Sequence, residues 1–93
     1  MFDKVENVVC KVIGIDVESL TERTKKSANV KARHFCMLIL HNEYGVSIRT
    51  LSHRYGFGMR YVFHAIAQTK YFLGYIKEYQ NIYDAIKSEL KDN

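Results

Sequence analysis

Nine cationic side chains crowd the middle of this chain: Arg23, Lys25, Lys26, Lys31, Arg33, Arg49, Arg54, Arg60 and Lys70. Glu43 is the only acid between positions 23 and 70, so that stretch has a balance of +8. The two flanking segments hold five bases and nine acids, a balance of −4. Charge segregated in this way is the chemistry of a polyanion-binding surface on an acidic support. The plainer alternative is that the cations only solvate helix faces.

The remaining reactive groups are His34, His41, His53 and His64 with Cys10 and Cys36. No pair has the spacing of a zinc site, and no nucleophile motif or phosphate-binding loop is present. No metal, cofactor or catalytic residue is therefore expected, and the protein reads as a non-enzyme. The thiols read as small apolar core residues rather than a disulfide framework.

Ninety-three residues suit one domain over positions 1–93, with a modest core. A hydrophobic content of 47% against 26% charged is ordinary globular usage. No apolar run nears the roughly 18 residues of a membrane span. Met1-Phe2-Asp3-Lys4 does not read as a signal peptide. A cytoplasmic protein away from membranes is expected.

The absence of proline favours helices, and the five glycines divide the apolar periodicity into segments. Phe2, Val5, Val8, Val9 and Val12 predict a first helix, and Asp16 can cap a short one over 17–20. Residues 21–28 lack an apolar anchor and read as an exposed loop. Ala32, Phe35, Cys36 and Ile39 predict a central helix over about 29–43. Ser47 can cap a helix to about Tyr55, with Ile48, Leu51 and Tyr55 inward. After the turn Gly56-Phe57-Gly58, the residues Met59, Val62, Phe63, Ile66 and Leu73 predict a second amphipathic helix, packed on the one before it through Val62 and Phe63. Ile76, Tyr79, Tyr83, Ile86 and Leu90 predict a last one. The fold class is all-α, a compact bundle of about six helices.

Helix, glycine turn and helix over 47–73 form a helix-turn-helix, able to hold the start of its second helix in a DNA major groove. Phe57, Met59, Arg60 and Tyr61 are expected to face the bases. Arg60 suits guanine, and Met59 or Phe57 suits a thymine methyl. Phosphate or minor-groove contacts fall to Arg23, Lys25, Lys26, Lys31, Arg33, Arg49 and Arg54.

Val30-Lys31-Ala32-Arg33-His34, Ser47-Ile48-Arg49-Thr50-Leu51, Tyr55-Gly56 and Val62-Phe63-His64-Ala65 carry a resemblance. The chain resembles the C-terminal origin-binding domain of the bacterial replication initiator DnaA over roughly residues 5–90. The resemblance implies a Trp-repressor-like helical domain bound to duplex DNA. It implies a minor-groove role for Lys25, where the family has arginine, and matches Lys31 and Arg33 to its basic pair. At the turn the family has Gly-Gly-Arg-Asp-His-Thr-Thr-Val; Gly56-Phe57-Gly58-Met59-Arg60-Tyr61-Val62 is one residue shorter and lacks Asp-His-Thr. The implied role is accessory or regulatory, in replication or transcription, in a bacterial nucleoid or on a mobile element.

Tyr71, Tyr75, Tyr79 and Tyr83 recur every four residues. Two readings stay open for them: rings covering the core with wet hydroxyls, or a face for a second copy or a protein partner. The second belongs to an alternative function, a protein-interaction module that kept the scaffold and lost sequence-specific DNA recognition.

Overall fold

Left-handed glycines set the lengths of the first three helices. Gly45 (φ 70°) closes the longest of them, and Val46 N–H turns back to donate to the Leu40 carbonyl at 3.0 Å. Gly56 (φ 74°) closes the next, and the Arg23 guanidinium stands 3.8 Å from where a Cβ would be. A side chain there meets both a disfavoured backbone region and a neighbour.

The computed structural model describes residues 1–23 and 26–92. Its elements are α1 (Phe2–Ile13), a short 3-10 helix (Val17–Thr21), α2 (Ser27–Tyr44), α3 (Ile48–Tyr55), α4 (Met59–Leu73) and α5 (Lys77–Asp92). Among the described residues there are no strands, and the bundle is all-α. It has five α-helices, one short of the expected six unless the 3-10 helix is counted.

The α2 helix is the axis of the bundle. It packs against α1 and α4, while α5 closes over α1 and α4 and α3 lies on α4. Residues Phe35 to Leu40 are consecutively buried, as a helix that is apolar on every side must be. Val5, Val8 and Val9 from α1, Leu20, Leu51, Val62 and Ile86 complete the core. Ser47 caps α3 as its sequence predicts: its Oγ accepts from Thr50 N–H at 3.1 Å. Asp16 holds the corresponding position before the 3-10 helix, but its side chain makes no capping bond.

The buried side of α4 corrects the predicted stripe. Val62, Ala65, Ile66 and Thr69 are buried, whereas Phe63, expected to pack inward, is 56% exposed; Met59, expected to face outward, is 48% exposed. Small Ala65 and Thr69 share the buried side with Val62 and Ile66, while Phe63 is turned outward.

The tyrosine row divides in two. Tyr79 packs on Phe35 and Phe72, with ring centroids 5.5 and 5.2 Å apart, and the Tyr83 hydroxyl donates to Glu43 at 3.0 Å. Tyr71 and Tyr75 are exposed and lie against each other at 4.6 Å.

Candidate nucleic-acid interface

The turn between α3 and α4 is anchored from below. The Phe57 ring stacks on Tyr61 at 4.3 Å, and the guanidinium groups of Arg23 and Arg33 each lie 4.5 Å from its centroid. Arg23 also donates to the Gly56 carbonyl, which ties the segment before α2 to the helix-turn-helix. Two cations on one ring are attractive contacts with the π-face and need no carboxylate beside them.

Arg33 is a correction. It was expected at phosphate but is only 2% exposed. Its Nε donates to the Leu20 carbonyl at 2.8 Å, Nη2 to the Glu22 carbonyl at 2.6 Å and Nη1 to the Tyr61 hydroxyl at 2.9 Å. That hydroxyl is also 2.9 Å from His34 Nε2. Burial, with Arg33 beside it, pushes the His34 imidazole down to about 4. The ring is then neutral near pH 7, and in the tautomer with a bare Nε2 it accepts the proton of a Tyr61 hydroxyl whose oxygen already accepts from Arg33.

Arg54 is a second correction. Its Nε and Nη2 donate to the two Glu6 oxygens at 2.9 and 2.7 Å, and its guanidinium covers the Phe2 ring at 4.4 Å. Glu6, 4% exposed, also accepts from the Tyr55 hydroxyl at 2.6 Å. This carboxylate, which sequence reasoning missed, clamps α3 to α1. Its signal was an acid set among Val5, Val8 and Val9.

Lys31 is likewise committed internally. Its Nζ lies 2.6 Å from a Glu78 oxygen and 5.3 Å from the Tyr79 ring, joining α2 to α5. Phe57 and Tyr61 are partly buried and pack against the core. Lys25 lies outside the described residues.

Other expected residues are exposed. Met59 and Arg60 form the exposed first turn of α4, and Arg49 is exposed on the first turn of α3. Lys26 is exposed at the start of α2. Further along α4, His64, Gln68 and Lys70 are exposed as well. From Tyr44 to Lys77 the sequence contains no acid at all. On one flank of α4 a concavity of about 690 Å³ is bounded by His34, Arg60, His64 and Gln68. On the other, one of about 200 Å³ is bounded by His41, Ile48, Phe63 and Lys70.

Both thiols are buried, and burial raises Cys10 to about 11 and Cys36 well above the ordinary thiol range. They are protonated packing groups near neutral pH. Among the described residues, no three His, Cys, Asp or Glu side chains are placed to hold a metal ion. No helix among them is long and apolar enough to cross a membrane. Compared with known proteins, the chain matches no family model, no curated sequence and no solved structure.

Proposed function

We propose that this chain binds double-stranded DNA through α3 and α4, as a DnaA-C-terminal-like domain that catalyses nothing. One observation carries the reading: about half the circumference of α4 is open to solvent and free of acid, with Arg60 at its start and Lys70 near its end. An α-helix about 10–12 Å across fits a major groove roughly 12 Å wide. Arg49 and Lys26 stand on neighbouring elements, where flanking phosphates would run. The motif resemblance to the initiator's origin-binding domain supports the same reading. It points to an accessory or regulatory part in replication or transcription.

Arg60→Ala tests the proposal. It is expected to weaken the preferred duplex, found by selection from a randomised library, by roughly 1–3 kcal/mol while barely affecting random duplex. Equal losses on both would reduce Arg60 to a phosphate contact.

A second reading has its own observation. Tyr71 and Tyr75 are 60% and 75% exposed, and such rings suit a protein partner or a second copy of the chain. Sedimentation of the wild type and of Tyr71→Ser, Tyr75→Ser at high concentration distinguishes it: a concentration-dependent dimer lost in the variant supports an interaction module.

A further inference from the structure

We infer that α4 reads thymine through its 5-methyl group, with Phe63 as the contact residue, and so selects duplex sites with thymines along the major groove. This deepens the duplex-binding reading and rests on it.

Phe63 is a phenylalanine that the core leaves largely exposed on the outward side of α4. It is 56% exposed at the middle of α4, one helical turn beyond Met59 and Arg60 and one before Ala67. Its one close ring neighbour is the adjacent His64, edge-on at 5.7 Å. A surface built only for phosphate has no use for a phenyl ring in its centre. Beside the ring, the recess of about 200 Å³ is lined by Ile48, Phe63, Ile66 and Ala67 together with His41, Asn42 and Lys70. A partly apolar hollow that includes a cation matches a methyl group carried on a polyanion.

The other base edges are matched differently. In the major groove, thymine alone presents a methyl, guanine presents two acceptors and cytosine a donor. Reading cytosine by its amino group calls for a carboxylate, and α3 and α4 contain none. Arg60 suits guanine and Gln68 suits adenine, the base paired with thymine. The charge of these helices argues for DNA rather than a protein as the occupant, because α3 and α4 carry Arg49, Arg60 and Lys70 and not a single acid.

The experiment compares two duplexes on one protein. The best site from library selection is remade with deoxyuridine for every thymidine, which removes only the 5-methyl groups. Wild type is expected to bind the deoxyuridine duplex more weakly, by roughly fourfold for each methyl in contact. Phe63→Ala is expected to bind both duplexes alike, near the wild-type affinity for the deoxyuridine form. Equal wild-type binding to both duplexes, with salt-dependent affinity intact, overturns the inference and leaves duplex binding standing. Absence of any duplex binding overturns both. A Phe63→Ala protein that loses self-association while the two duplexes remain equivalent to wild type assigns this face to a protein contact and overturns the inference. The wild-type comparison needs no variant, so a folding defect in Phe63→Ala does not obscure the result.

Discussion

The Glu6 carboxylate takes two hydrogen bonds from Arg54 across 48 positions of sequence, at 2.9 and 2.7 Å. A fork of two parallel bonds from guanidinium to carboxylate fixes orientation as well as distance. It therefore sets how α3 lies on α1. An arginine in this geometry is structural even though it belongs to the basic stretch.

Glu6→Ala strands Arg54 and the Tyr55 hydroxyl together. Because Arg54 keeps some access to water, the expected cost is about 2–3 kcal/mol, less than for a fully buried pair. Urea denaturation measures it. Arg54→Ala is expected to lower stability in the same assay while leaving the duplex affinity of the folded protein unchanged.

Arg33→Met removes three donors and leaves the Leu20 and Glu22 carbonyls and the Tyr61 hydroxyl short of partners. The expected loss is about 3 kcal/mol. Arg33→Lys recovers little of it, since an ammonium cannot present the same fork. Tyr61→Phe, by comparison, is expected to cost about 1–2 kcal/mol. The midpoints of the three denaturation curves give this order directly.

His34 makes stability depend on pH. Its folded value of about 4 lies below the ordinary 6.5, so the unfolded chain takes up the proton first as pH falls. The contribution is complete above about 6.5 and is lost as the pH drops toward 4. With the ring partly exposed, the expected decline between pH 7 and pH 5 is about 1 kcal/mol. Urea midpoints at the two pH values show it, and His34→Gln, which still offers an acceptor to Tyr61, is expected to flatten it.

Ser47→Ala tests the start of the helix-turn-helix. Loss of the bond from Thr50 N–H is expected to cost about 1 kcal/mol, again by denaturation.

Much of the helical frame was legible because its punctuation is local. Gly14, Gly45 and Gly56 end helices where a left-handed residue is needed, and Ser47 begins one where a hydroxyl can cap. The facing of α4 was not legible. Met59, Val62, Phe63 and Ile66 have helical spacing, but so do Val62, Ala65, Ile66 and Thr69, whose small side chains give a weak apolar signal. The packing of α4 against α2, α3 and α5 decides between the two stripes. The charge count located the basic region but could not sort its members. Arg33 is held by backbone carbonyls, which no residue type reveals. Arg54 and Lys31 are held by Glu6 and Glu78, acids distant in sequence and counted with the flanking segments. The proposed DNA contacts are thereby narrowed to residues of α3 and α4, Arg49, Arg60 and Lys70 among them.

Salt dependence of duplex binding tests the central claim most directly. Each phosphate neutralised contributes about −0.9 to the slope of log affinity against log salt, so contacts from Arg49 and Lys70 give a slope of about −2. Fluorescence anisotropy with a random duplex over a salt series is predicted to show at least that slope. Lys70→Ala is predicted to reduce it by about 1, and Arg54→Ala to leave it unchanged. No binding at low salt, or binding indifferent to salt, contradicts the account.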